Sequence, residues 1–273
     1  MSSTVCGLQR LISKANNYVK THGIKFNASK TKCAIFGKSY LTHKPVWKLS
    51  GEHLSITDHI EYLGAILSNK ASDHKDNRIK ACRTKFHMAK HAGMHGNGIK
   101  PKIVAYLWRT AIQPALVYGA ECLPLSERDK REMDRTQAKL IKCALGLSKY
   151  LRNTALLQAL QIRNCVTIID CNTINLLSSI CNGTSQLKTL YLYMLNHPRK
   201  TINCDNLLLR GERICRNNSF SFFKCTILPD YLKKCKKDLF VNPTSGLVDS
   251  LKMLLSTYNQ SDKELINLLL SPF

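Results

Sequence analysis

The chain has 273 residues, of which 41 are lysine or arginine and 18 are aspartate or glutamate, so its formal net charge is +23. Apolar residues make up 44% of the sequence, which supports a packed core and excludes a fully disordered chain. The positive charge favours a polyanionic partner. No apolar run approaches the ~18 residues of a membrane span and the N-terminus does not have the pattern of a secretory signal, so we expect an intracellular protein, cytoplasmic or nuclear, without a membrane partner.

The N-terminal part predicts one helix and several short strands. Residues 5–22 carry apolar side chains at helical spacing, and Gly23 supplies a stop. Turn residues then separate short segments in which apolar and polar residues often alternate. These segments lie at 24–26, 32–37, 46–49, 53–56 and 61–67. We interpret them as a small antiparallel sheet or a pair of hairpins.

From residue 73 onward the pattern is helical. Residues 73–95 place four apolar side chains on one face: Ile79, Cys82, Phe86 and Ala89. Residues 101–119 begin with Pro101 at the first helical position and are expected to end or kink at Pro114. The predicted apolar stripe of this second helix consists of Ile103, Leu107, Ala111 and Ala115.

A capping-box pattern starts the next predicted helix. Ser126 and Asp129 have the spacing of that motif, and the helix is expected to bury Met133, Leu140, Ile141 and Ala144 and to end at Gly146. Further helices are predicted at about 154–162, 164–181, 185–196 and 246–270, with loops near Pro198, 217–218 and Pro243. The sequence thus predicts an α+β fold in which a helix and a small sheet precede a helical bundle.

Positive charge is concentrated in the predicted helices. Residues 75–152 contain 17 basic and 6 acidic side chains, a net charge of +11, whereas residues 1–74 and 153–273 each have a net charge of +6. The first basic residues of this region are Lys75, Arg78, Lys80, Arg83, Lys85, Lys90, Lys100, Lys102 and Arg109. Such density predicts salt-sensitive contact with phosphates, independent of sequence, and the alternative is a solvated face that only keeps the protein soluble.

We predict no metal site. The twelve cysteines include no C-x-x-C pair, the short spacing that zinc sites usually use, so we expect buried or incidental reduced thiols. His87, His91 and His95 recur at four-residue spacing, but no acid or cysteine accompanies them. We therefore expect a solvated or phosphate-facing histidine stripe.

Three blocks of the sequence together resemble the reverse transcriptases of non-LTR, LINE-type retrotransposons. The segments HGIKFNASKTKCAIFG (22–37) and IEYLGAIL (60–67) resemble the end of the polymerase palm. The segment IQPALVYGAECLPLSERDKREMDRTQAKLIKCALGL (112–147) resembles the thumb, with Leu123 where the family usually has tryptophan. The blocks occur in the family's order and spacing, and the resemblance covers about residues 1–165, with a possible extension to 197.

The resemblance implies a remnant of an RNA-directed DNA polymerase. Residues 1–70 would be the remnant of a right-hand polymerase palm, a helix plus a small antiparallel sheet with a primer-grip-like hairpin. Residues 71–165 would be a helical thumb bundle, and 166–273 a helical C-terminal region that is poorly defined after 197. The implied partners are RNA and DNA, as a template–primer duplex, and the oligomeric state is unknown.

The same resemblance assigns roles to individual residues. Lys30 matches a family lysine near the phosphates of the incoming nucleotide, and Lys32 is the second choice at that position and a nucleic-acid contact. Tyr62, Leu63 and Gly64 match the primer-grip hairpin, which holds the primer end. The thumb residues expected to contact the duplex are Lys80, Arg83 and Lys85.

The catalytic acids of that family do not occur in this sequence, which contains no Asp-Asp dipeptide and whose first acidic residue is Glu52. Intact family members hold Mg²⁺ with such aspartates. We interpret Met1 as an internal position of a longer ancestral polymerase. We therefore expect this chain alone to bind no cofactor and to bind nucleic acid without polymerising, so template-directed incorporation above background would contradict this expectation.

Two other interpretations stay open. In the first, the chain is a host-retained, non-catalytic protein for nucleic-acid binding or assembly. In the second, it is a pseudogene product without function. An in-frame Tyr/Phe-Ala-Asp-Asp upstream of Met1 would favour a mis-started polymerase. A promoter and splice structure of its own would favour a retained fragment.

Overall fold

A computed structural model describes residues 1–2, 4–37, 45–95, 99–123, 125–183 and 186–189, and positions 210, 211, 214 and 249. The chain forms two compact units, Met1–His74 and Lys75–Phe273. The first unit combines one long helix with short strands, and the second is helical where it is described. The architecture is therefore mixed α+β, as the sequence predicts.

Helix α1, Val5–Thr21, is fixed at both ends by local hydrogen bonds. The Thr4 hydroxyl caps its start by accepting a hydrogen bond from the Gly7 N–H at 3.0 Å. At its end Gly23 adopts the left-handed conformation, with φ +65°, and the Ile24 N–H donates to the Val19 carbonyl at 3.0 Å. This Schellman motif confirms the predicted helix and stop. It also makes residue 24 part of the helix end, so the strand predicted at 24–26 is wrong.

Six short strands follow: β1 (Lys32–Ala34), β2 (Lys48–Leu49), β3 (Glu52–His53), β4 (Ser55–Thr57), β5 (His59–Tyr62) and β6 (Ala65–Ser68). They pair in three two-stranded sheets, of which β2–β3 and β5–β6 are antiparallel. Two hairpins agree with the prediction, but β5 and β6 divide the segment predicted as continuous over 61–67. The third pair, β1–β4, is parallel and sets Cys33 opposite Ile56, so a single antiparallel sheet is wrong. Parallel pairing joins distant segments, which local alternation does not encode.

The first unit has a small core. Its buried members are Ala28, Cys33, Trp47, Leu49 and Leu54. Helix α1 packs Leu8 and Ile12 against them, and the Trp47 indole N–H donates to the Val5 carbonyl at 3.3 Å. Val19 is the buried residue of α1, while Leu11 is 46% exposed. Part of the apolar stripe of α1 is therefore in contact with water.

Helix α2, Ala71–His91, is shorter than predicted. Gly93 has φ +101°, and the Met94 N–H donates to the Ala89 carbonyl at 2.9 Å, which ends the helix in a second Schellman motif. His95 thus lies beyond the helix, and the predicted three-histidine stripe is wrong. The apolar face is confirmed for Ile79, Cys82 and Phe86, which are buried, and Ala89 is half-buried.

The segment predicted as one helix over 101–119 has three parts. They are α3 (Pro101–Leu107), a π-helical turn (Trp108–Ile112) and α4 (Gln113–Val117). Pro101 starts α3 as predicted. The π-turn precedes Pro114, whose ring nitrogen has no N–H to donate. The Gln113 N–H donates a hydrogen bond to the carbonyl of Trp108, five residues earlier in the chain.

This segment buries a different face from the predicted one. Ile103 is 48% exposed and Ala111 is exposed, so the stripe 103, 107, 111, 115 is wrong. The buried side chains are Val104, Ala105, Trp108, Ile112, Ala115 and Leu116. An extra residue in the π-turn shifts the face of the following turn, and local periodicity does not show that shift.

The remaining helices are α5 (Glu127–Leu145), α6 (Asn153–Ala159) and α7 (Cys165–Asn182), and a short 3₁₀ turn, Ala120–Cys122, precedes α5. The capping box of Ser126 and Asp129 and the stop at Gly146 are present as predicted. The helices predicted at 154–162 and 164–181 are confirmed with small shifts. Residues 186–189 are helical, whereas the rest of the helix predicted to 196, the loops near 198, 217–218 and 243, and nearly all of 246–270 lie outside the described residues.

One lysine packs against the start of α5. Lys75, whose side chain is 8% exposed, lies 2.7 Å from Glu132, 3.1 Å from Asp76 and 3.3 Å from Asp129. Burial opposes its charge, but hydrogen bonds to these carboxylates outweigh burial and raise the pKa of Lys75 above its ordinary value. Burial likewise opposes ionisation of Asp129, yet hydrogen bonds from Ser126 and Lys75 hold the pKa of Asp129 below its ordinary value.

Replacing Ser126 with alanine is expected to lower the free energy of unfolding by about 1 kcal/mol at neutral pH, because the cap of α5 is lost. The folded pKa of Asp129 lies below its unfolded value, about 3.9, so its carboxylate stabilises the fold above that pH. This contribution is lost as the pH falls through the folded pKa. Denaturant unfolding at pH 7 and pH 3 should therefore show a smaller wild-type-to-variant difference at pH 3, and an equal difference would contradict this account.

Candidate nucleic-acid interface

One face of α2 carries exposed lysine, arginine and histidine side chains. Lys80, Arg83 and His87 are exposed and lie three and four residues apart, which places them on one side of an α-helix. Lys90 and His91 continue this side toward the helix end. We call these five residues the α2 basic face. From residue 77 to residue 120 the sequence contains no aspartate or glutamate, so no acid from this stretch neutralises the face.

Lys85 does not belong to the α2 basic face. It is exposed, but five residues of α-helix separate it from Lys80, which rotates it by roughly 140° around the axis. Of the three residues that the resemblance assigns to duplex contact, Lys80 and Arg83 therefore lie on one face of α2 and Lys85 lies on another.

Among the described residues of the second unit, four cations are buried and hydrogen-bonded or ion-paired. Lys75 has the carboxylates described above, and Lys130 lies 2.8 Å from Glu127. The Lys142 ammonium donates to the carbonyls of Lys149 and Leu151, and burial lowers its pKa. The Arg210 guanidinium donates to the carbonyls of Ala120, Glu121 and Leu123. These charges are structural, so the expectation that Lys75 contributes to a phosphate-binding surface is wrong.

Other basic residues of the region are only partly committed. The Arg78 guanidinium lies 5.6 Å from the centroid of the Tyr118 ring, and the Arg109 guanidinium donates to the Gln161 carbonyl at 3.3 Å. Lys100 and Lys102 are exposed. Lys100, Lys102 and Arg109 add positive charge at and near α3, whereas Arg78 belongs to α2 but lies outside its basic face.

In the first unit, Lys30 and Lys32 are exposed on either side of a tight turn. The Asn27 carboxamide oxygen accepts hydrogen bonds from the Lys30 N–H at 3.1 Å and from the Ser29 hydroxyl at 2.6 Å. Lys32 is the first residue of β1, opposite Ser55. The turn thus holds the backbone of Lys30 and leaves both ammonium groups in water.

Tyr62, Leu63 and Gly64 form the tip of the β5–β6 hairpin. Tyr62 pairs with Ala65, so Leu63 and Gly64 are the two loop residues, with φ +49° and +77°. Positive φ at both positions is the geometry of a type I′ turn, which normally selects Asn and Gly. Leucine there is strained, and it is 75% exposed. An exposed, strained apolar residue at a hairpin tip contributes little to the core.

A second basic cluster lines a cleft between α5, α6 and α7. The cleft has a volume of about 250 Å³. Three of its lining residues are arginines, Arg131 and Arg135 on α5 and Arg163 in the loop before α7, and all three are exposed. Asp134 is the acid on its wall. This cluster was not predicted from the sequence, although Arg131 and Arg135 have the four-residue spacing that places two helical residues side by side.

A buried polar network fixes the loop that carries Arg163. The carboxamide nitrogens of Gln113 and Gln137 donate to the Arg163 carbonyl at 2.8 and 3.0 Å. The Gln137 carboxamide oxygen in turn accepts from Gln113 at 2.7 Å and from the Trp108 indole at 3.1 Å. Gln137 and Trp108 are fully buried. Satisfied buried networks rigidify the segments that they join.

Asp134 is also held in place. Its carboxylate accepts a hydrogen bond from the Cys165 N–H at the start of α7. Burial raises the pKa of Asp134 above its ordinary value, and the backbone hydrogen bonds oppose this only in part. Arg131 and Arg135 form no ion pair with an acid in the part of the chain that the structure describes.

The described residues define an α+β protein with two separate exposed clusters of cations on its helical unit. Within these residues, no group of three or more His, Cys, Asp or Glu side chains lies together as metal ligands would, and no helix has the length and apolar content to cross a membrane. Among the described cysteines, Cys33, Cys82, Cys165 and Cys171 are buried. Comparisons with protein-family models, curated proteins and solved structures gave no match to this chain.

Proposed function

We propose that the chain binds the backbone of double-stranded nucleic acid without reading its sequence, and that it is a late palm and thumb fragment related to LINE-type reverse transcriptases. The observation that carries the binding is the α2 basic face within a stretch, residues 77–120, that has no acidic residue. Phosphate contacts by lysine and arginine act at any sequence. The exposed cations on one helix face match that requirement.

The ancestry draws support from the order of the elements. A capped helix, short paired strands, a hairpin with Tyr62, Leu63 and Gly64 at its tip and a set of helices follow one another along the chain. A primer-grip role would give a reason for the strain at Leu63, because strained tips persist where function requires them. Lys30, on its fixed turn, would be the remnant of the nucleotide-binding lysine.

No polymerisation step is part of this proposal. The Mg²⁺ of the family needs closely spaced aspartates. The sequence has no Asp-Asp dipeptide, and the described residues contain no cluster of acids suited to the metal. The proposed function is therefore limited to binding.

Reversing the charge of the α2 basic face is the test. Lys80→Glu combined with Arg83→Glu should weaken binding to a DNA duplex about tenfold or more near 100 mM salt and lower the slope of log affinity against log salt by roughly 0.9 per lost contact. The loss should be equal for duplexes of unrelated sequence and for an RNA–DNA hybrid. Fluorescence anisotropy titrations over a salt series measure both quantities.

A matched control comes from the same helix. As single substitutions, Lys85→Glu and Arg83→Glu change the charge by the same amount, but Lys85 lies on another side of α2. The effect of Lys85→Glu on duplex affinity should therefore stay within about threefold. Circular dichroism should show unchanged helix content, because all three side chains are exposed. Equal losses of duplex affinity for Arg83→Glu and Lys85→Glu would show that only net charge matters. A wild-type affinity that does not depend on salt would overturn the proposal.

A further inference from the structure

The arginine cleft between α5, α6 and α7 has the properties of a built anion site. Arg131, Arg135 and Arg163 reach it from α5 and from the loop before α7. Asp134 is the acid among the cleft residues, and its carboxylate is already hydrogen-bonded to the Cys165 N–H. Positive charge is therefore in excess on the cleft walls.

The walls of the cleft are held before any ligand arrives. Buried Gln113 and Gln137 both donate to the carbonyl of Arg163, so the backbone of that wall is fixed by interactions that are shielded from water. A long, well-capped helix, α5, carries the other two arginines at a spacing of one turn. A fixed backbone limits the freedom that these exposed side chains lose when they bind a ligand, which favours binding.

The size and donor geometry of the cleft select the ligand class. Its volume of about 250 Å³ is below the roughly 300–1,000 Å³ of pockets for drug-sized ligands. Guanidinium groups bind planar or tetrahedral oxyanions in bidentate fashion, and phosphate is the oxyanion that such clusters recognise in nucleic acids. A carboxylate would also pair with arginine, but the exposed cations of α2 favour a polyanion whose charges repeat along a backbone.

We propose that this cleft binds a phosphate group, supplied by the backbone of a bound nucleic acid; the source of the phosphate rests on the proposed function. The cleft is then a second anchoring point besides the α2 basic face. One phosphate is fixed here by Arg131, Arg135 and Arg163, while other phosphates meet the open face of α2. Contacts of this kind position the nucleic acid and carry no sequence information.

Arginine footprinting tests the cleft directly. Phenylglyoxal modifies accessible guanidinium groups, and mass spectrometry of peptides reads each arginine separately. A saturating DNA duplex, with binding verified by anisotropy in the same sample, should protect Arg131, Arg135 and Arg163 at least fivefold and leave the exposed Arg10 of α1 reactive. Poly-glutamate at equal charge should not protect them. Full reactivity of the three arginines in the presence of bound duplex would overturn the proposed phosphate site in the cleft, but not the proposed function.

A second arm uses inorganic phosphate alone. Millimolar phosphate should protect the same three arginines. Protection by phosphate in a protein that does not bind duplex would overturn the proposed function and the assigned source. Absence of protection by either ligand would overturn the cleft.

A matched pair of variants completes the test. Arg131→Gln with Arg135→Gln should lower the salt slope of duplex binding by up to roughly 1.8, since each lost phosphate contact contributes about 0.9. Arg10→Gln with Lys14→Gln removes the same charge from exposed positions four residues apart on α1, outside the cleft, and should lower the slope by less than half as much. Equal effects of the two double variants would show that only net charge matters and would overturn the cleft.

Discussion

Replacing Trp108 with alanine is expected to lower the free energy of unfolding of the helical unit by about 3–5 kcal/mol. Trp108 is fully buried at the start of the π-turn. Its removal leaves a cavity that the helices around it refill only in part, and it also removes the indole N–H that donates to Gln137. Urea unfolding followed by circular dichroism measures the loss.

Two variants separate the causes. Trp108→Phe keeps most of the volume, and the Gln137 oxygen still accepts from Gln113 at 2.7 Å, so the expected loss is only about 1–2 kcal/mol. Tyr106→Ala removes an aromatic ring that is 60% exposed on the same helix and should change stability by less than about 0.5 kcal/mol. If Trp108→Ala cost no more than Tyr106→Ala, the core would not be centred on this residue.

The sequence predicts most of what depends on neighbouring residues. The start of α1, the capping box at Ser126, the start of α3 at Pro101 and the stop at Gly146 all follow from chemistry within a few residues. The turn at Leu63-Gly64 does not belong to this class: the residue pattern predicts one segment over 61–67, and only the family resemblance implied a hairpin there.

The errors concern interactions between distant residues or a change of helical register. The burial of Lys75 depends on Asp129 and Glu132, which lie more than 50 positions away. One regular stripe cannot continue from α3 into α4, because the π-turn between them adds a residue. No local pattern contains either fact, and the basic character of Lys75 misled the assignment of the phosphate-binding surface.

The two candidate clusters differ in the same way. The α2 basic face occupies one helix, so helical spacing predicts which residues share it. The same spacing places Lys85 on another side of the helix. The arginine cleft combines α5 with a loop whose position depends on Gln113 and Gln137, two buried polar residues that hydrophobic periodicity treats as interruptions. Its geometry follows only from the packed structure.

The first unit is expected to unfold before the second. Its least exposed apolar side chain, Trp47, is 3% exposed, and its core contains five buried residues. Several of its large apolar side chains contact water, among them Tyr18, Val46 and Leu63. The most completely buried large side chains of the described chain all belong to the second unit, including Phe86, Trp108 and Leu156. Stability follows the apolar area that is removed from water, so the two units should differ by several kcal/mol.

The two tryptophans provide a probe for each unit, because Trp47 lies in the first and Trp108 in the second. Trp108→Phe leaves the emission of Trp47 as the signal, and Trp47→Phe leaves that of Trp108. In urea, the red shift of Trp47 should occur at a clearly lower concentration than that of Trp108, since both indoles pass from a buried site to water. Non-coincident transitions would show that the chain is not a two-state folder.

Limited proteolysis without denaturant tests the same expectation in the wild-type chain. Cleavage should begin within residues 1–74, and a resistant fragment starting near residue 75 should accumulate, because local opening exposes the backbone of the less stable unit more often. A mass-spectrometric time course identifies the first cut. Coincident tryptophan transitions together with uniform protection from residue 5 onward would mean that the small core around Trp47 is as stable as the helical core, and that the exposed apolar residues of the first unit cost it little.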